Sequence, residues 1–594
     1  MPREQFDVAG AGQAAARNLL AQSPLRPLTP VLEQWFKRDL GKLLSIAHES
    51  EGPFFSRALA NCNIAHDCPE EDIRRIPTEG PVLVVANHPF GLVEAVIIGA
   101  ILSRMRGDVK FLANSLLAAV PQLHDLILPV DISGGSTAAR SNLKAVREAV
   151  AWLQGGHVLV VFPAGEVASI QFPPLGITDP RWNNSVTRLV ERTNAAVLPI
   201  FVHGANGPAF HIAGAIHPQF RTLLLPREFL NKQGKRIRVS IGSPIRSNRI
   251  LTSEVRRDPT EYLRKRTFLL ESRSGAKGRT RFEPRLTPVA AGIDPALLAN
   301  EIATLPAGQT LLSHAGYTVY EAAAAQIPSV LREIGRLREI TFRGAGEGTG
   351  NSIDLDEFDR HYRHLILWNV ESREVVGAYR FARTDEVLSR FGPRGLYTHT
   401  LFRLSPEFHA SVGPALELGR SFVRPEYQKS YQALLLLWKG IGQYLVSHPR
   451  YRYLFGPVSI SRDYSACSRA VMVSFLKARC GDEALASSVQ PRHKFQVRPI
   501  RDLAAGNLGS LLANVDELSE VIADLEPDHK GVPILLRHYV NLGGRILDFS
   551  VDRNFSNTLD GLIVVDLAAA NRRLLERYLG KAGAEKFLDA GQTA

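Results

Sequence analysis

The chain has 594 residues, 45% of them hydrophobic and 22% charged, with a formal net charge of +12. That length exceeds what one hydrophobic core usually supports, so two domains or three are expected, and the ordinary composition excludes a disordered scaffold. Four cysteines (Cys62, Cys68, Cys467 and Cys480) are too scattered for a disulfide framework, and Cys62 and Cys68 around His66 match no zinc spacing.

In chain order, residues 1–75 read as mostly helical, and the first eighteen lack an apolar core of signal-peptide length. Between Pro30 and Ile46, Leu32, Trp35, Phe36, Leu40, Leu43 and Leu44 fall near one helical face. Such a face packs on the following domain or rests on a bilayer surface. From Pro81 the pattern changes. Residues 82–86, 157–162 and 196–202 are short apolar runs of buried-strand type, and a helical stretch from Ser141 to Leu153 ends at Gly155-Gly156. Strands alternating with helices predict an α/β domain over 76–272 with a largely parallel sheet, and Arg236 opens a last strand that alternates charged and apolar residues. No stretch approaches the roughly 20 apolar residues of a spanning helix. The nearest, Pro81 to Leu102, contains Asn87, His88, Pro89 and Glu94.

Between Arg227 and Arg285, 17 Lys/Arg stand against 6 Asp/Glu. A patch of this kind is either a solvated face or an attractor for nucleic acid, an anionic leaflet or an acidic carrier protein. Residues 273–295 read as a basic Pro/Gly linker. A second domain is expected over 296–590, opening with a helix from Ile327 to Phe342. It continues with strands at 365–369, 375–381 and 415–423 and a long helix from Tyr431 to Val446.

Two clusters of residues carry chemistry. The first begins with Val85-Ala-Asn-His-Pro-Phe-Gly-Leu-Val-Glu94, which sets His88 just after a buried strand and a carboxylate six positions on, at the start of an apolar helix. Strand carboxyl ends are where an open α/β sheet gathers ligands and catalytic groups. A histidine there deprotonates a hydroxyl when a carboxylate holds its ring. The bland alternative is a hydrogen-bonded histidine at a turn. Val160-Val-Phe-Pro-Ala-Gly-Glu166 is a second strand entering a Pro/Gly turn, and a third strand ends at His203 and Asn206. In this order and spacing the blocks resemble the lysophospholipid (glycerolipid) acyltransferase superfamily, over about residues 75–250. The resemblance implies His88 as general base oriented by Glu94, and acceptor binding by Asn87, Phe162, Pro163, Gly165 and Glu166, with Ser115 and Arg140 as further acceptor contacts. Two departures stand out: the acid lies one position later than in the usual block and is Glu rather than Asp, and Ala164 replaces a usual Glu. The first of these is similar to bacterial ornithine- and amino-acid-lipid O-acyltransferases.

The second cluster lies in the C-terminal domain. A Gly-rich loop, Gly344 to Gly350, suggests phosphate binding, although acids crowd it and no Lys-Ser/Thr follows. Asp356 and Asp359, three apart, share a face on a helical turn and could order a cation or a substrate amine, or form a solvated acidic turn. In the strand 416–423, alternation puts Glu417 and Gly419 on one face and Arg420 on the other. A Glu there is costly unless paired or functional, and it could deprotonate an attacking amine. Trp438 and Leu434–Leu437 are core or the lining of an acyl pocket. Arg338, Phe342, Asp356, Asp359, Arg380, Glu417 and Arg420 together resemble the ornithine N-acyltransferases and acyl-homoserine-lactone synthases of the Gcn5-related fold, over about 310–585. The resemblance implies N-acylation of an amino acid from an acyl carrier protein thioester. Arg424-Pro-Glu-Tyr-Gln-Lys-Ser-Tyr-Gln432 lacks the glycines that would bring backbone amides against a pyrophosphate, which favours the carrier over coenzyme A.

The expectation is therefore an α/β N-terminal glycerolipid-acyltransferase-like domain joined to an α+β Gcn5-related domain. The two would make a diacylated amino-acid lipid, with no resident cofactor or metal and no nucleic-acid partner. Its partners would be an acyl carrier protein, lipid and amino-acid substrates and an anionic inner membrane touched peripherally from the cytoplasm. The alternative is a lysophospholipid acyltransferase whose C-terminal domain only docks the carrier.

Overall fold

The computed structural model describes Arg38 and residues 53–115, 117, 123–131, 135–171, 176–216, 218–251, 258–273, 286–496 and 511–592. The amphipathic face expected over 30–50 lies outside these residues except for Arg38, as does 274–285 of the expected linker. The chain divides into two compact units, Met1–Gly275 and Ala276–Ala594.

Among the described residues of the first unit, seven strands form one sheet in the order β1-β9-β8-β2-β5-β3-β4. They are β1 (Ala65–Asp67), β2 (Val82–Ala86), β3 (Val109–Asn114), β4 (Ile127–Val130), β5 (Val158–Val161), β8 (Ala196–Val202) and β9 (Arg236–Ile241). A separate hairpin pairs β6 (Ser169–Gln171) with β7 (Gly176–Thr178). Every residue of β2 and of β5 is buried, which explains their unbroken apolar runs: parallel strands in the middle of a sheet are covered on both faces. β9 instead runs antiparallel to β8 with its first residue exposed, hence its alternating charges. The helix Gly135–Gln154 ends where the two glycines predict, with Gly155 N–H on the Ala151 carbonyl and Gly156 at φ +86°. A buried ion pair closes this unit: Arg273 Nη1 lies 2.6 Å from both oxygens of Asp72, which also accepts the Ile241 N–H. Stranding either charge alone in the interior would cost about 3–5 kcal/mol.

The second unit is built on an eight-stranded sheet in the order β10-β11-β12-β13-β15-β16-β19-β18 among the described residues. Its strands are β10 (Thr310–His314), β11 (Tyr317–Ala323), β12 (Arg363–Asn369), β13 (Glu374–Arg383), β15 (Ala415–Val423), β16 (Tyr453–Ile460), β18 (Arg545–Asp552) and β19 (Thr558–Asp566). A small ladder pairs β14 (Phe402–Leu404) with β17 (Val489–Pro491). The helices Pro328–Gly344 and Tyr431–Ser447 stand close to the expected spans. The unit does not open on that first helix, however. A helix Pro295–Ala303 and the β10/β11 hairpin come before it, and β10 is short and half exposed, without a clean apolar alternation.

Two features of β15 position the site. Its pairing with β16 is parallel and the ladder ends at Glu417/Phe455. Its pairing with β13 slips by one residue between Gly419 and Phe422, and Arg420 within that bulge takes φ +47°. The bulge overturns the simple alternation. Arg420 reaches Asp354, Asp356 and the Tyr397 hydroxyl, on the same segments that bear Tyr362 and Thr398, the partners of Glu417. Gly456 permits the close approach of β16 to β15, since a Cβ there would sit 2.1 Å from the Leu418 carbonyl oxygen.

Gly456→Ala should cost about 2 kcal/mol or more and lower the melting temperature of this unit by roughly 3 °C or more. Gly308→Ala, with nothing within 4 Å of its Cβ, should leave it unchanged in the same thermal scan.

Candidate active sites

In the first unit, β2 delivers Asn87 and His88 to the carboxyl end of the sheet, next to the ends of β5 and β8. Asn87 bridges back to β8: its Nδ2 donates to the Val202 carbonyl at 3.0 Å and its Oδ1 accepts the Val202 N–H at 2.7 Å. His88 Nδ1 lies 2.8 Å from Glu94 Oε1, in the first turn of the helix Val93–Leu102. A carboxylate can only accept, so Nδ1 carries the proton and Nε2 is the ring nitrogen left for a substrate. Glu94 is fully buried, and the same oxygen also accepts the N–H groups of Phe90 (3.0 Å) and Gly91 (2.7 Å). Gly91 is required there, at φ +98° with a Cβ position 2.5 Å from Leu225.

The Phe162–Glu166 turn divides its residues. Phe162 stacks on the His88 ring at 4.5 Å between centroids. The Pro163 carbonyl is held by both the N–H and the Nδ2 of Asn183, and Gly165 takes φ +69°. Glu166 points outward to a surface pairing with Arg221. Asn206 donates to the Phe90 carbonyl, whereas His203 turns to Ser240 Oγ, and burial lowers its imidazole to about 4. Ser115 is exposed past the end of β3, and the side chain of Arg140 lies outside the described residues.

One group here had no signal in the sequence. Asp179, buried, accepts the His88 backbone N–H through Oδ1 (3.1 Å) and the Trp182 indole N–H through Oδ2 (3.0 Å). It stands in a polar turn before Pro180, 91 residues from its partner, with no periodicity connecting the two. Burial pushes its carboxyl up to about 6, against the opposing pull of the Trp182 and His88 hydrogen bonds.

In the second unit the Gly-rich loop is already filled. Glu339 accepts the N–H groups of Thr349 and Gly350, the Thr349 hydroxyl and Arg343 Nε, so the loop's donors close on the chain's own carboxylate. Asp356 and Asp359 cap the turn Glu357–Arg360 reciprocally, and buried arginines take their charge. Arg338 Nη1 lies 2.7 Å from Asp359, and Arg380 Nη1 lies 2.5 Å from Asp356 and 3.1 Å from Asp359. Burial works to raise Asp359, but the two guanidinium charges outweigh it and hold it well below the usual carboxylate range. Phe342 packs edge-on against Phe555.

Glu417 is fully buried. Its Oε1 accepts both the N–H and the hydroxyl of Thr398 at 2.5 Å, and its Oε2 accepts the Tyr362 hydroxyl. Burial raises its carboxyl above the ordinary range. Tyr362, Tyr397, Thr398 and Asp354 were missed in the sequence because three lie on loops and Thr398 opens a four-residue helix, where no spacing distinguishes them. Trp438 is buried among Tyr379, His538, Tyr539 and Tyr578. Beyond the end of the β15/β16 ladder a small space of about 10 Å³ is lined by Leu418, Leu454, Pro457, Val458, Tyr539 and Ile563.

Each of the two units is similar to a different acyltransferase family. Residues 54–277 match the family described as Acyltransferase, and residues 337–439 match that described as Acetyltransferase (GNAT) domain. Among individual proteins, the chain is similar to the glycine N(alpha)-acyltransferase of Bacteroides thetaiotaomicron, at 40% identity over 29% of this chain and 55% of that protein. It is also similar to the L-ornithine N(alpha)-acyltransferase of Rhodobacter capsulatus, at 28% identity over 44% of this chain and 94% of that protein. A third likeness is to the lyso-glycine lipid O-acyltransferase of Phocaeicola vulgatus, at 30% identity over 29% of this chain and 62% of that protein. The chain spans about half the length of the glycine N(alpha)-acyltransferases it matches. The families and these relatives are all acyltransferases. Among the described residues no helix is long and apolar enough to cross a membrane, and no group of three or more His, Cys, Asp or Glu is placed to hold a metal ion.

The raised carboxyl of Asp179 sets a pH dependence. Folding strengthens its hold on a proton, so its contribution is fully present below the ordinary value of 3.8 and is lost as pH climbs through about 6. Asp179→Asn lacks this titration. The melting temperature of the variant minus that of the wild type should therefore rise between about pH 4 and pH 7. A flat difference would reject burial as the dominant influence on this group.

Proposed function

We propose that the chain is a bifunctional acyltransferase that builds a diacylated amino-acid lipid of the ornithine-lipid type. The C-terminal unit places a 3-hydroxyacyl chain on the α-amine of an amino acid, and the N-terminal unit esterifies the hydroxyl of that chain with a second acyl group. The observation that carries the reading is the His88–Glu94 pair: a buried carboxylate holds Nδ1 at 2.8 Å and leaves Nε2 as the base. The presence of both N-acyltransferases and a lyso-lipid O-acyltransferase among the relatives supports two successive steps on one chain.

In the O-acylation step, His88 Nε2 removes the hydroxyl proton as the oxygen attacks the thioester carbonyl. Glu94 steadies the imidazolium that forms. The tetrahedral intermediate collapses by breaking the C–S bond, and the same proton returns to the departing thiolate, so no covalent enzyme intermediate is needed. Phe162 keeps the ring in plane from one side. Of the residues assigned to the acceptor side, Pro163 and Gly165 stand in the turn beside Phe162, while Asn87 is engaged by Val202 and Glu166 by Arg221.

In the N-acylation step, Glu417 takes the proton of the amine as its nitrogen attacks the thioester carbonyl; the C–S bond then breaks and that proton passes to the departing thiolate. Its raised carboxyl suits an acceptor poised nearer neutral pH than an exposed glutamate, and Tyr362 and Thr398 fix its orientation. Arg338, Phe342, Asp356, Asp359, Arg380 and Arg420 are the residues assigned to substrate binding in this unit. The donor is an acyl carrier protein thioester. The enzyme works at the cytoplasmic side of an anionic inner membrane, touching it peripherally.

Lipid mass spectrometry of a bacterium lacking aminolipids tests the scheme. Wild type should yield a new diacyl aminolipid, His88→Ala a mono-acyl lyso-form and Glu417→Ala neither. A change confined to the phospholipid acyl profile would overturn it.

A further inference from the structure

The β6/β7 hairpin stands outside the seven-stranded sheet, and its two legs grip the backbone of His88. At the foot of β6, Ala168 N–H donates to the His88 carbonyl at 2.8 Å. One residue beyond β7, Asp179 accepts the His88 N–H. Nothing in the acyl-transfer chemistry needs the outer part of this hairpin, yet its exposed side is apolar. Ile170 and Ile177 face each other across the two strands and are 49% and 44% exposed. The helix Pro208–Ile216 packs against β6 and presents Ile212, 62% exposed. Single exposed apolar residues are ordinary, but here a cross-strand isoleucine pair is exposed on a hairpin and a third isoleucine is exposed on the helix packed against that hairpin.

Cationic groups stand close by. Three residues past β7, Arg181 begins an open groove of about 490 Å³ that it lines with Asn183, Asn184, Ser185 and Arg188. Arg181 and Arg188 are exposed, and Asn183 is the residue that holds the Pro163 carbonyl beside Phe162. Apolar tips next to arginines suit the boundary between acyl chains and anionic headgroups, and the net charge of +12 draws the whole chain to such a surface.

We infer that Ile170, Ile177 and Ile212 form the surface by which this unit docks on an anionic lipid leaflet, with the hairpin tying that surface to the backbone of His88. The acceptor then reaches His88 from the leaflet without crossing water. The purpose of the contact rests on the O-acylation reading, but the contact itself is tested without turnover.

The full chain carrying Ile170→Trp is mixed with phosphatidylglycerol vesicles containing brominated lipid. The expected result is quenching of the added indole emission beyond that of the wild type, with Ile534→Trp, exposed on the second unit, giving none. The double variant Ile170→Asp/Ile177→Asp should lower the vesicle partition coefficient about tenfold, and Ile534→Asp should not. Vesicle binding by wild type with no quenching at position 170 overturns the inference. So does absence of vesicle binding, or an emission shift at position 170 produced by purified acyl carrier protein and not by vesicles. A chain that docks but makes no lipid counts against the proposed function and leaves the docking surface standing.

Discussion

One oxygen atom organises the first unit. Glu94 is buried completely, and its Oε1 accepts from the imidazole of His88 and from the backbone of Phe90 and Gly91. A carboxylate in that position would cost several kcal/mol without such donors. The turn from β2 into the following helix is therefore shaped around it. Gly91 adopts a conformation open chiefly to glycine, Asn206 secures the Phe90 carbonyl, and Asn87 locks β2 to β8. The ring orientation of His88 follows from the fold and does not wait for a substrate, which is preorganisation in the physical sense.

The second unit solves a different problem. Three arginines, Arg338, Arg380 and Arg420, lie in its interior with Asp354, Asp356 and Asp359 around them. Coulomb attraction at low dielectric repays the desolvation of such charges only when the geometry is close. Here a bulge in β15 and a reciprocal cap at residues 356–359 supply it. Glu417 stands on the same strand as Arg420 yet pairs with hydroxyl and backbone donors, not with a cation.

Much of this was legible in the sequence, and the reasons are physical. β2 and β8 were readable to the residue because doubly covered parallel strands have no polar face to blur their limits. The His88–Glu94 pair was readable because both partners lie on one short segment. Asp179 was not, since it reaches His88 across 91 residues by a backbone contact that leaves no periodic trace. Arg420 was placed on the wrong side because alternation assumes an unbroken ladder, and a bulge resets the count. The β10/β11 hairpin was missed because its outer strand is half exposed and lacks a period-two pattern.

The loop from Gly344 to Gly350 carries its own counter-ion. Glu339 occupies the nest of amides and the Arg343 guanidinium that a phosphate would otherwise seek. An outside anion would have to evict a carboxylate tethered to the adjoining helix. The loop is thus sealed against nucleotides by competition from within, and a motif that advertises phosphate binding serves here as a clasp between a helix end and the turn that follows it.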